Sequence, residues 1–209
     1  GRTGMTGVRQ VGPNTMDEPT LIAAAQRGQV DAFNELVLAY QQQVYNLAYR
    51  IMGDPASAAD AAQDAFISAY ESIGRFRGGS FKSYLLRIVA NRCYDELRRR
   101  KRRPATSFED FGEVDEEANP ALINGGERPE EYAERQEMAR VIQIGIETLP
   151  PDQRVTLALA DVQGLSYKEI AEATDVSLGT VKSRLSRARV KLRDYLRDQG
   201  ELLPARYRL

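Results

Sequence analysis

The stretch "SLGTVKSRLSRARVKL", residues 177–192, sets Ser177, Thr180, Lys182, Ser183, Arg184, Ser186, Arg187 and Arg189 among evenly spaced Val, Leu and Ala. Hydroxyl and basic side chains in that mixture suit hydrogen bonding to base edges and phosphates, because Arg and Lys donate to guanine O6 and N7 while Ser and Thr reach either. They do not suit bond making. The chain has no histidine and one cysteine, Cys93, so it lacks the parts for a Cys/His zinc site, a histidine-based triad or a disulfide. No cofactor or metal is expected.

A second cluster lies upstream. "GRFRGGSFKS" offers Arg75, Phe76, Arg77, Ser80 and Lys82 around glycines, and the segment after it places Tyr84, Arg87, Asn91, Tyr94 and Arg98 at three- and four-residue spacing. Rings, an amide and guanidinium groups on one face suit unstacked bases. Phe76 and Tyr84 suit core positions equally well. The order G-x-x-x-x-G-K-[ST] of a nucleotide-binding loop is absent.

The net charge of -1 conceals where charge sits. Residues 75–103 hold eleven Lys or Arg against Asp95 and Glu96, a net +9; residues 104–137 hold eleven Asp or Glu against Arg128 and Arg135, a net -9; residues 177–197 carry a net +6. Two basic blocks flank an acidic one. No apolar run approaches the roughly 18 residues of a membrane span, and the first fifteen residues lack a signal-peptide core, so a cytoplasmic protein without membrane insertion is expected.

The elements that must carry these side chains read as helices throughout, since apolar residues recur at three and four spacing with no alternating run. Leu21, Ala24 and Ala25 begin the pattern, and Phe33, Leu36, Val37, Tyr40, Val44, Leu47, Ala48 and Ile51 continue it. "MGDPAS" breaks it at Gly53 and restarts it at Pro55. Ser80 is placed to cap a helix whose stripe is Phe81, Leu85, Ile88, Val89, Cys93 and Leu97, and Cys93 reads as a small core residue. The fold class is therefore all-α, with two small helical domains joined by an acidic flexible linker. The expected boundaries are a disordered or cloning-derived leader over 1–16, a first domain over 17–103, the linker over 104–135, a second domain over 136–199 and a tail over 200–209. In the second domain Ser166 and Glu169 have the spacing of a capping box, "TDV" makes a tight turn, and Ser177 caps the next helix. Ile170, Ala171, Val176, Val181 and Leu185 supply the apolar corner of a helix-turn-helix, whose second helix enters the major groove. A solvated amphipathic helix would offset its own charge with Glu at four-residue spacing, and almost none is present.

Taken together, these segments resemble the extracytoplasmic-function (ECF) sigma factors of bacterial RNA polymerase. "GDPASAADAAQDAFISAYESIGRFRGGSFKSYLLRIVANRCYDELRRRKRR" is similar to the family's domain two, and "LPPDQRVTLALADVQGLSYKEIAEATDVSLGTVKSRLSRARVKLRDYL" to its domain four. The resemblance implies that Asp60, Gln63, Asp64 and Phe66 dock on a coiled coil in the largest subunit of core RNA polymerase. It implies that Arg75, Phe76, Arg77, Ser80, Lys82, Tyr84, Arg87, Asn91 and Arg98 melt and read the minus-ten element as single strand. Ser177, Thr180, Lys182, Ser183, Arg184, Ser186, Arg187 and Arg189 would read the minus-thirty-five element as duplex. It also implies that the linker threads the basic active-centre cleft of the polymerase, that an anti-sigma factor restrains the chain, and that the chain performs no catalysis. Departures from the family pattern are Ala61 and Ala62, where larger aliphatics are usual, and Tyr84, where a Trp is frequent. The competing readings are a stand-alone helix-turn-helix regulator of duplex operators and, with no convincing site, a hydrolase or nuclease.

Overall fold

The computed structural model describes residues 17–102 and 128–199, and every regular element in them is helical. The expected leader, the tail and the linker up to residue 127 lie outside the described residues. The order is α1 (Glu18–Gln26), α2 (Val30–Met52), α3 (Pro55–Ser72), a 3-10 turn (Ile73–Arg75), α4 (Phe81–Arg102), α5 (Pro129–Glu147), α6 (Pro151–Leu157), a π-helical turn (Ala158–Val162), α7 (Tyr167–Thr174) and α8 (Leu178–Asp198).

The stripe that begins at Leu21 is divided between two helices. Gly28 has φ +86°, a conformation that L side chains rarely adopt, and it reverses the chain between α1 and α2. Gly53 closes α2 in the left-handed region with its N–H on the Tyr49 carbonyl. Asp54 then accepts from the Ser57 N–H at 2.7 Å, and Pro55 fills the first turn of α3. The buried face of α3 is Ala58, Ala62, Ala65 and Ala69, small enough for α2 and α4 to approach closely. Ala62 thus fits as a core residue where a larger side chain would force the helices apart.

The acidic segment ends earlier than the composition suggests. α5 begins at Pro129, seven residues before the expected domain start at 136, because Pro129 suits a first turn and Glu130 and Glu131 complement the positive end of the helix dipole there. Residues 129–135, read as linker, are the first two turns of a helix.

The core is a single connected cluster. Leu36, Leu47, Ile51, Phe81, Leu85, Leu86 and Val89 form its first half; Leu149, Leu159, Ile170, Val181 and Leu185 form the second. The two halves meet where α4 packs on α6 and α7, and where α2 packs on α5 and the π-helical turn.

Candidate nucleic-acid interface

The helix-turn-helix is built by local hydrogen bonds. The Ser166 Oγ accepts from the Glu169 N–H at 3.3 Å while the Glu169 carboxylate accepts from the Ser166 N–H at 2.8 Å, a complete capping box at the start of α7. Asp175 leaves the helix in the left-handed region at φ 52°, which a short polar side chain tolerates. Ser177 Oγ then accepts from the Thr180 N–H at 3.1 Å and starts α8. Val181, Leu185 and Ala188 are buried, which fixes the rotation of α8 about its axis.

That rotation sorts the predicted contact residues. Lys182, Ser186, Arg187 and Arg189 are exposed, while Thr180, Ser183 and Arg184 are half-buried. Ser177 and Thr180 share a hydroxyl hydrogen bond at 3.0 Å, and Ser183 Oγ donates to the Thr180 carbonyl at 3.0 Å, so these hydroxyls are used within the helix. Arg184 meets Asp152 of α6 at 3.2 Å. Arg189 makes a two-pronged pair with Asp161, at 3.1 and 2.6 Å. The hydrogen bond to Asp161, and then one to Tyr167, raise the Arg189 pKa further above its ordinary value. The offsetting carboxylates missing along α8 are thus supplied by α6 and the π-helical turn. Lys182, Ser186 and Arg187 remain as side chains without a bonded partner among the described residues.

The upstream cluster is also ordered from within. Gln26 of α1 donates to the carbonyls of Ile73 and Phe76 at 3.1 and 2.9 Å, pinning the loop that carries Arg75 to Arg77. Gly78 and Gly79, at φ +96° and +89°, turn the chain into α4, where Ser80 Oγ accepts from the Ser83 N–H at 3.1 Å. Phe76, Phe81 and Tyr84 form a cluster with ring centroids 5.1 to 5.7 Å apart, and the Tyr84 hydroxyl shares a 2.6 Å hydrogen bond with Ser72. Phe76 and Tyr84 are half-buried: each is anchored in the core on one side and open on the other. Arg75, Arg77, Ser80, Arg87, Asn91 and Arg98 are exposed, with Arg98 lying 5.6 Å from the centroid of Tyr94. Lys82 differs. It is half-buried and points its ammonium at the Gln163 carbonyl at 3.5 Å, while its neighbour Ser83 donates to Glu169 at 2.7 Å.

On α3, Asp60, Gln63 and Asp64 are exposed and Phe66 is half-buried against the core. Ile67 and Tyr70, which the reading of the sequence does not single out, are exposed on the same helix, and together with the carboxylates they make a mixed acidic and apolar surface. An apolar residue outside the stripe Ala58, Ala62, Ala65 and Ala69 was the available signal. Asp152 and Asp161 carry no comparable signal, since nothing in their local spacing announces a distant arginine. Cys93 is fully buried and burial pushes its thiol up to about 12, so it takes no part in surface chemistry. Among the described residues no group of His, Cys, Asp and Glu is placed to hold a metal ion, and no helix is long and apolar enough to cross a membrane.

A basic, loop-preceded helix with exposed Asn91, Arg87 and Arg98 is followed in the same chain by a helix-turn-helix, so the chain presents two separate basic surfaces. Residues 36–103 match sigma-70 region 2, and residues 142–192 match sigma-70 region 4. The chain is 37% identical over 186 residues to the ECF RNA polymerase sigma factor SigE of Mycolicibacterium smegmatis, covering 86% of this chain and 69% of that protein. It is 38% identical over 170 residues to the RNA polymerase sigma-H factor of Pseudomonas aeruginosa (81% and 88%) and 36% identical over 177 residues to the ECF RNA polymerase sigma-E factor of Escherichia coli K12 (83% and 91%). Two solved structures share the fold: CnrH in complex with the cytosolic domain of CnrY (TM-score 0.60, 24% identity, 86% of this chain and 96% of that one), and the sigma factor RpoE with the anti-sigma factor NepR from Bartonella quintana (TM-score 0.56, 23%, 78% and 96%). The chain belongs to the ECF family of RNA polymerase sigma factors.

Proposed function

We propose that this chain confers promoter specificity on RNA polymerase through two DNA surfaces and one docking surface, working by binding and not by bond making. The first domain, over 17–103, carries the docking surface Asp60, Gln63, Asp64 and Phe66 and the minus-ten surface Arg75, Phe76, Arg77, Ser80, Lys82, Tyr84, Arg87, Asn91 and Arg98. The second domain reads the minus-thirty-five element from α8. On that helix Lys182, Ser186 and Arg187 are the base readers, Ser177, Thr180 and Ser183 shape the helix start, and Arg184 and Arg189 are held by carboxylates. The observation that carries the reading is the placement, on one chain of sigma family, of an exposed Asn91–Arg87–Arg98 face on a capped basic helix and an exposed Lys182–Arg187 face on a helix-turn-helix. Single-strand and duplex readout need those two geometries respectively.

The chain works beside polymerase in the cytoplasm, and its partners are core polymerase, promoter DNA and a restraining anti-sigma factor of the kind bound to the similar RpoE structure. Purified core polymerase with this chain is expected to start transcription at promoters carrying both elements, with starts mapped on genomic DNA. No promoter-dependent transcript, together with tight operator binding by the chain alone, would sink the reading in favour of a stand-alone regulator.

A further inference from the structure

Gln26 is the last residue of α1 and stands before residue 36, where the match to sigma-70 region 2 begins. Its backbone is fixed from both sides. Ala24 and Ala25 before it are buried, and after it the N–H groups of Gly28 and Gln29 close the helix on the carbonyls of Ala25 and Ala24 at 2.9 and 3.1 Å. The end of α1 is thus satisfied without the Gln26 amide, which reaches instead to a segment 47 to 50 residues further on. There Nε2 donates to the Ile73 carbonyl at 3.1 Å, which also accepts the Phe76 N–H at 3.0 Å and so closes the 3-10 turn. Its second donation goes to the Phe76 carbonyl at 2.9 Å.

The segment held in this way has little else to order it. Residues 74–80 include three glycines, and a Cβ at Gly74, Gly78 or Gly79 would meet no atom within 4 Å, so packing does not confine the backbone there. Glycine-rich chain costs the most conformational entropy to order. Phe76 is the anchor: its ring packs on Phe81 and Tyr84 with centroids 5.6 and 5.1 Å away, and its carbonyl is on Gln26. The Ile73 bond holds the turn that carries Arg75, and the Phe76 bond holds the peptide that leads into Arg77. Without them the ring can stay seated while both arginines leave the loop in new directions. A loop ordered before the nucleic acid arrives removes that entropy cost from binding.

We infer that Gln26 is a positioning residue for minus-ten recognition: its amide presets the loop that presents Arg75, Phe76 and Arg77 to the unstacked strand, so selectivity in domain two depends on a side chain of α1 that acts through backbone and not on a base. The inference rests on the assignment of this loop to the minus-ten element. Gln26 is exposed at a helix end, so substitution leaves the core intact. Met keeps the approximate length and helix propensity of Gln without a donor, whereas Lys restores N–H donation. Gln26→Met and Gln26→Lys therefore separate the hydrogen bonds from the space the side chain fills.

Holoenzyme carrying each variant is titrated with a fluorescent single-stranded oligonucleotide of the minus-ten sequence, taken from a promoter mapped for the wild-type chain, and with a scrambled one. The ratio of the two affinities should fall about tenfold in Gln26→Met, since two neutral hydrogen bonds each contribute about a factor of two to ten. Gln26→Lys should recover most of that ratio. In the free chain, hydrogen exchange of the Phe76 N–H should quicken in Gln26→Met, while the urea midpoint and minus-thirty-five duplex binding stay at wild-type values. Gln26→Glu, which keeps the shape and offers only acceptors, should lower the ratio as Met does and stands as the test if Gln26→Met loses its cooperative unfolding transition. An unchanged ratio in folded donor-less variants would overturn the positioning role, and so would a lowered ratio that Gln26→Lys leaves unrecovered. A wild-type holoenzyme that binds both oligonucleotides equally, while still selecting the minus-thirty-five duplex, is the separate result that would remove the minus-ten assignment and the inference with it.

Discussion

Arg187 and Arg189 lie two residues apart on α8, and the structure gives them opposite prospects. Arg187 is exposed with no bonded partner among the described residues, whereas Arg189 is held at two points by Asp161. Removing a side chain that makes a bidentate base contact costs about 1 to 3 kcal/mol, so Arg187→Ala should lower minus-thirty-five affinity by about five- to 150-fold. The loss should be concentrated at one base position. Arg189→Ala removes an ion pair whose partners are both nearly half exposed, worth about 0 to 1 kcal/mol, and that cost falls on the stability of domain four. Its effect on DNA should be uniform across sequences. Holoenzyme binding to duplexes with the matched element and with single-base changes, at several salt concentrations, separates the two. Arg187→Ala should flatten the discrimination at one position, while Arg189→Ala should change no preference and lower the salt slope by at most about 1 if the freed position had touched phosphate. Flattened discrimination in Arg189→Ala with normal discrimination in Arg187→Ala would refute the sorting by carboxylate partners.

Gly145→Ala in α5 sets two effects against each other: a helix gains about 1 kcal/mol from Ala over Gly, but the added Cβ would lie 2.7 Å from both Leu192 Cδ1 and Tyr195 Cδ1, and overpacking costs about 1 to 3 kcal/mol. Net destabilisation of up to about 2 kcal/mol is expected from urea unfolding; a more stable variant would contradict the packing of α5 on α8. The Cys93 thiol, raised by burial from 9.0, and the Tyr40 hydroxyl, raised by burial and by its hydrogen bond to Glu18 from 10.0, both reach about 12. Raised folded-state values keep their stabilisation intact below the unfolded values and lose it as pH climbs through the folded ones, so urea midpoints should fall between about pH 9 and 12, and Cys93→Ala should delay the onset to about pH 10. Asn91→Ala, at an exposed position on α4, should spare upstream duplex binding and abolish permanganate reactivity at the minus-ten element; normal reactivity would remove Asn91 from melting.

The parts of the fold that were legible in the sequence are those whose causes are local. The stripe from Phe81 to Leu97, the break at Gly53 and the capping box of Ser166 and Glu169 each depend on residues within a turn or two of one another, and all are present as read. Helical periodicity resumes in the sequence at Glu131, two residues into α5, but the domain boundary expected at 136 falls inside that helix, because acidic composition weighs toward a linker while the same carboxylates are favourable in the first turn of a helix headed by proline. Composition over a window cannot tell these apart. The position of Pro129 relative to Glu130 and Glu131 can.

The candidate site divides in the same way. Which faces of α4 and α8 turn outward followed from periodicity, but which outward cations are free to meet DNA did not, since Asp152 and Asp161 lie 32 and 28 residues before the arginines they hold. A count of carboxylates along α8 suggests an unbalanced basic face, and folding supplies the balance from α6 and the π-helical turn. The consequence is a narrower reading surface than the sequence implies. On the proposed duplex-reading role of α8, the paired arginines add less nonspecific attraction to phosphate, and discrimination falls to Lys182, Ser186 and Arg187. Specificity is a difference between right and wrong sites, so a factor that must choose among many promoters gains more from muting two indifferent cations than from adding a third reader.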